Sequence, residues 1–126
     1  MTDLVRAPAR LYRAVDGDSF DLLINFRRHP RWIGAQIVDC RLRDYSAREL
    51  RDVADEDPFG LSRAPGPDAR ALAIGILYAV DDVLEAEIKR GEGTFGRTLV
   101  WLWRGDDSVG QMLAARGVVA PRHAQG

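Results

Sequence analysis

The chain has 126 residues, 46% hydrophobic and 29% charged, enough to bury one core in one soluble domain and too apolar for a disordered chain. Its formal net charge is −1 and Lys89 is its sole lysine, so no global field gathers nucleic acid and any phosphate binding has to come from a local arginine cluster. No stretch approaches the ~20 apolar residues of a membrane helix, the N-terminus lacks the apolar core of a signal peptide, and Cys40 stands alone, which rules out an internal disulfide. The expectation is a cytoplasmic chain with no membrane partner, its thiol a half-buried strand residue and not a nucleophile.

In residues 10–15 and 19–26 the apolar positions alternate, with Phe20, Leu22, Ile24 and Phe26 on one side, which predicts two strands broken at Asp16-Gly17-Asp18. A third strand is expected over 32–43, joined to the second through the basic tip Arg27-Arg28-His29-Pro30-Arg31. Residues 52–67 contain the run Asp55-Glu56-Asp57, Pro58, Pro65 and Pro67, and read as a loop whose acidic run is solvated. Gly66 then suits an N-cap, Pro67 the first helical position and Asp68 the first turn, and Leu72, Ile76, Ala79 and Val80 form a core-facing stripe. Leu84, Ala86 and Ile88 alternate with charged residues, giving a fourth strand. Leu99, Trp101 and Trp103 share one face of a fifth, over 97–103. Ser108 with Gln111 is a capping-box pattern opening a short helix, and Gly117 fits its C′ position.

Three strands, a helix, two strands and a helix is the order of a β-rich α+β fold, a five-stranded OB-fold barrel with a helix between strands 3 and 4 and a short C-terminal helix. The whole chain, 1–126, is expected to form this one domain, with its core over about 11–120.

Four short pieces carry the chemistry: Asp16-Gly17-Asp18-Ser19-Phe20, the run Arg41-Leu42-Arg43-Asp44-Tyr45-Ser46-Ala47-Arg48-Glu49, Phe95-Gly96-Arg97, and the stretch from Ser108 to Gly117. Singly they have plain readings. The first is a common hairpin turn in which glycine takes positive φ, and Arg41 with Glu49 is an ordinary surface ion pair. Together, and in this order, they resemble the staphylococcal nuclease (thermonuclease) family.

That resemblance implies a metal-dependent nuclease acting on DNA or RNA, with Asp18 as a ligand of a calcium or magnesium ion, and the basic tip flanked by Phe26 and Trp32 points to single strands. The resemblance further implies Glu49 as the general base toward water, and Arg41 and Arg97 as clamps on the phosphate. Two arginines suit this task because their planar forks meet two phosphate oxygens at once. The family pattern departs at two places: Ser46 stands where a metal-ligand Asp is expected, and Arg48 where a Pro is expected. Asp44 lies two residues upstream of Ser46 and shares its face if the strand continues, which makes it a candidate replacement ligand. Nucleic-acid contacts are expected from Arg27, Arg28, Arg31, Trp32 and Phe95, although the basic tip also reads as a solvated hairpin end.

Gly91-Glu92-Gly93-Thr94-Phe95-Gly96 satisfies a dinucleotide glycine pattern, yet Arg97 opens a strand where such a fold needs a helix, so no nucleotide cofactor is expected. His29 and His123 lack ligand-spaced partners, which argues against zinc. The alternative function is a non-catalytic OB-fold module that binds nucleic acid or a protein partner.

Overall fold

Alternating apolar residues need a second surface to bury them, and here strands from both ends of the chain supply it. A computed structural model describes residues 3–78, 84–90 and 97–122. The expectations placed on Ala79, Val80, Phe95, His123 and the glycine run 91–96 lie outside the described residues. The elements are β1 (Leu4–Ala14), β2 (Ser19–Ile24), β3 (Gln36–Leu42), β4 (Tyr45–Ser46), α1 (Gly66–Leu77), β5 (Leu84–Lys89), β6 (Thr98–Arg104), β7 (Asp107–Ser108), α2 (Val109–Ala115) and β8 (Ala120–Pro121). No helix among them is long and apolar enough to cross a membrane.

Six strands form one sheet in the order β3-β2-β1-β5-β6-β7, every neighbouring pair antiparallel. β3 also pairs in parallel with β6, from Cys40↔Thr98 to Leu42↔Val100, so the pairings run from β3 through β2, β1, β5 and β6 and return to β3. β4 and β8 form a separate two-stranded sheet. β1 starts well before the expected residue 10, because its first half, Leu4 to Ala9, pairs with β5 while its second half pairs with β2. Alanines and Pro8 carry little strand signal, so this half depends on its partner.

The core holds Phe20, Leu22 and Ile24 of β2, Leu42 of β3, Val100 and Leu102 of β6, and Leu113 and Val118 beside them. Phe26 leaves this row and is 40% exposed. β2 has ended by then, as Asn25 turns the chain through bonds to the carbonyl and amide of His29. On β6 the buried positions are Val100 and Leu102, while Trp101 and Trp103 face outward and stack under Arg43 and Arg6 at 4.3 and 5.2 Å. Cys40 is fully buried, more deeply than expected, and burial pushes its thiol up to about 12, so it stays protonated and inert.

α1 begins at Gly66 with Pro65 in the cap position, one residue before the expected start. Its buried face is Gly66, Ala69, Ala73 and Leu77, and Leu72 is 40% exposed. The expected stripe is therefore corrected at Leu72, while Ile76 is half-buried and packs against the core; the fully buried positions are mostly small residues. Alanines let the helix approach β1 closely, and larger side chains would hold it off. α2 follows expectation at both ends: Ser108 Oγ accepts from the Gln111 amide, and Gly117 adopts φ 73° as the Leu113 carbonyl takes the Val118 amide at 2.9 Å.

Candidate functional site

The first piece of the site is a hairpin turn joining β1 to β2. Ser19 O accepts the amides of Val15 and Asp16, which curls the chain so that Asp16, Asp18 and Ser19 come to one side. Gly17 is needed for space and not for positive φ. A Cβ there would lie 2.8 Å from both the Ala47 Cβ and Val118 Cγ1, too close for real atoms. The glycine thus lets the turn pack against the segment that carries Ser46 and Glu49.

Register supplies the next two residues. Ser19 lies opposite Arg41 on β3, and the Asp18 carbonyl accepts the Leu42 amide at 2.7 Å, so Arg41 is fixed beside Asp18. Their side chains approach to 3.9 Å, Arg41 Nε to Asp18 Oδ2. The parallel pairing of β3 with β6 starts at Thr98, which puts Arg97 at the same end of the sheet, its Nη1 3.4 Å from Ser19 Oγ. Glu49 arrives last: Asp16 Oδ1 accepts the Leu50 amide at 2.7 Å, and Gly66 leaves room for the Glu49 carbonyl where a side chain would overlap it.

Asp18, Arg41, Ser46, Glu49 and Arg97 consequently line one cleft of about 430 Å³, with Asp16, Arg48, Phe59 and Arg63 also in its walls. Asp18 is buried and Glu49 exposed. Burial raises Asp16 above the ordinary carboxylate range, with the charges of Asp18 and Glu49 acting in the same direction. Glu49 Oε2 is held by Arg51 Nε at 2.6 Å. Arg122 lies close enough that burial and then the Arg41 charge lower its affinity for its proton.

Asp44 is placed elsewhere. β3 ends at Leu42, Asp44 takes φ 70° in the turn to β4, and its carboxylate accepts from Trp101 Nε1 at 3.2 Å. The strand does not continue through it, so it does not share the face of Ser46. The basic tip is also remote: Ile24 pairs with Gln36 at one end of the β2–β3 hairpin and Ser19 with Arg41 at the other, roughly 17 Å apart at strand rise. Arg28 there donates to the Arg6 carbonyl at 2.7 Å and reaches Glu85, and Trp32 is covered by Arg10 at 4.2 Å, while Arg27 and Arg31 are exposed.

Sequence reasoning missed the inner wall. Arg63 forms a two-pronged pair with Asp57, Nε to Oδ2 at 2.6 Å and Nη2 to Oδ1 at 2.9 Å, and donates from Nη1 to Ser46 Oγ at 3.1 Å. Both ion-pair side chains are 3% exposed. The expectation of a solvated acidic run holds for Asp55 and Glu56 and is corrected for Asp57, whose pKa the Arg63 hydrogen bonds hold below the ordinary range. Nothing in the local pattern around Ser62-Arg63-Ala64 signals this, since the pair is made across the loop. Arg48 had a signal, its place at an expected proline.

A calcium ion takes six to eight oxygens and binds more tightly with more anionic ones. Here Ser46 is a neutral hydroxyl already bonded to Arg63, and Asp18 Oδ1 lies 3.2 Å from Ser19 Oγ. The guanidiniums of Arg48 and Arg63 occupy the same wall. Among the described residues no three His, Cys, Asp or Glu side chains group so as to hold a metal. This donor set is a poor match for a hard dication.

Comparison with protein-family models and with curated proteins finds no match to this chain.

Proposed function

We propose that the cleft binds and hydrolyses phosphodiester bonds of DNA or RNA. The observation that carries this reading is convergence: Asp18, Arg41, Glu49 and Arg97, spread over most of the sequence, line one polar cleft. In this reading the sheet, with its pairings returning from β6 to β3 in parallel, is an OB-fold barrel, an architecture suited to holding nucleic acid against one side. Arg41 and Arg97 hold the non-bridging oxygens of the phosphate. Water attacks phosphorus in line with the leaving oxygen, a new P–O bond forms as the old one breaks, the Glu49 carboxylate takes the water proton, and the leaving oxygen takes one from solvent. The exposed ring of Phe59 on the rim offers a stacking face for a base. Calcium or magnesium, which the resemblance implies, enters as a variable of the assay because the donors in the cleft suit it poorly.

A second reading, a non-catalytic nucleic-acid-binding module, draws on the same wall: Glu49 is engaged by Arg51, and cations crowd the place of the missing carboxylate. Digestion of single-stranded DNA, duplex DNA and RNA with calcium, magnesium or chelator separates the two. Cleavage abolished by Glu49→Gln supports hydrolysis. Oligonucleotide binding with no cleavage of any substrate under any condition replaces it with the binding module.

A further inference from the structure

Arg48 is 2% exposed and lines the cleft, and its Nε and Nη1 have no hydrogen-bond partner among the described residues. With two of its three nitrogens sealed from water and unbonded, this guanidinium is only partly offset by the charge of nearby Asp57, an unfavourable state that calls for a ligand. Arg41 adds a second open donor to the same space: its buried Nε has no hydrogen-bond partner, the Asp18 carboxylate being 3.9 Å away. The other charges nearby are already committed. Arg63 is taken by Asp57 and Ser46, Glu49 by Arg51, Asp16 by the Leu50 amide and Asp52 by the Glu49 amide. No carboxylate among the described residues forms a direct ion pair with Arg48; the Asp57 charge acts on it from a carboxylate that Arg63 already holds. Two arginines that line one polar cleft thus carry unsatisfied N–H donors, and the tetrahedral oxygens of a phosphate are acceptors suited to both guanidiniums.

We infer that Arg48, together with Arg41, binds a phosphate group directly and supplies the positive charge that a divalent ion would otherwise bring to this cleft. Only the source of the phosphate, a nucleic-acid backbone, rests on the phosphodiester reading; the binding itself does not. The cation sits next to Ser46, the position where a carboxylate ligand is missing. One change removes an anion, the other adds a cation, and both move the cleft from holding a metal toward holding an anion.

The test is calorimetric titration of the full chain, in chelator and at fixed ionic strength, with inorganic phosphate, a nucleoside 3′,5′-bisphosphate and a single-stranded DNA oligonucleotide. The parent is expected to bind the bisphosphate without calcium, and Arg48→Met to weaken that binding about tenfold or more, on the scale of a charge-assisted fork. Arg13→Met, at an exposed arginine on β1, is expected to change it less than about twofold. Removing a buried charge that has no direct ion-pair partner should leave the melting temperature of Arg48→Met unchanged or raised, which separates lost binding from lost folding. If that variant fails to fold, Arg48→Lys keeps the charge without the fork and should bind at intermediate strength.

Binding of inorganic phosphate but not of the bisphosphate or DNA still supports the inference and makes free phosphate the ligand. Bisphosphate binding that needs calcium, or that Arg48→Met or Arg48→Lys leaves at parental strength, overturns it. Cleavage is read separately: Arg48-dependent binding without cleavage retains the inference and removes the hydrolytic reading.

Discussion

Replacing Asp57 by Asn probes the wall that shapes the cleft. Arg63 would keep its charge, 3% exposed, lose its counter-charge, and retain at most one of its two short bonds, now at 2.6 and 2.9 Å, through the remaining amide oxygen. Breaking a buried pair from one side costs ~3–5 kcal/mol, because the remaining charge is uncompensated. This pair is closed to solvent yet sits in a surface loop with little protein around it, which raises the effective dielectric. The expected loss is therefore about 2–3 kcal/mol, a large share of the ~5–15 kcal/mol typical of a domain.

Urea denaturation of Asp57→Asn, Arg63→Met and the double variant measures it, and the double variant should recover at least half the loss. The pH dependence has a definite sign. Arg63 lowers the Asp57 pKa in the folded state, so the stabilisation is fully present above the unfolded value of about 3.9 and is lost as pH falls through the lower folded value. The acid sensitivity of the parent in that window should be reduced in Asp57→Asn. A single-variant loss below about 0.5 kcal/mol, in the range of an ordinary surface change, would refute the account of the wall.

Other outcomes follow from the cleft geometry. Glu49→Gln should lower turnover by ~10²-fold or more with stability nearly unchanged, as measured by single-turnover cleavage and thermal unfolding, since the side chain is exposed. Arg97→Ala should lower the cleavage rate by ~10²-fold or more while changing single-strand affinity far less, and Arg27→Ala, at the opposite end of the hairpin, should alter affinity and not rate. Gly17→Ala should cost about 1–3 kcal/mol in denaturant unfolding and reduce cleavage, because its methyl group collides with Ala47 and Val118 beneath Asp18.

Strand periodicity on β2, β5 and β6, the breaks at Asp16-Gly17-Asp18 and Gly117, and the capped start of α2 were all legible in the residues, because each depends on neighbours a few positions away. The alternation of β6 was legible too, but not which face was inside. Pairing with β3 and β5 decided that, leaving Val100 and Leu102 in and the tryptophans out. The buried stripe of α1 was misread for the same reason: close approach to β1 selects alanines, and hydrophobicity alone favours Leu72.

At the site, residue types at motif spacing pointed to Asp18, Arg41, Glu49 and Arg97, and their gathering needed three tertiary facts: the Ser19–Arg41 register, the parallel β3–β6 pairing and the Asp16–Leu50 bond. The Asp57–Arg63 clasp and the open donors of Arg48 were invisible in the sequence. Whether a charge is solvated, paired or buried alone is fixed by atoms that reach it across the fold, and no local pattern encodes that.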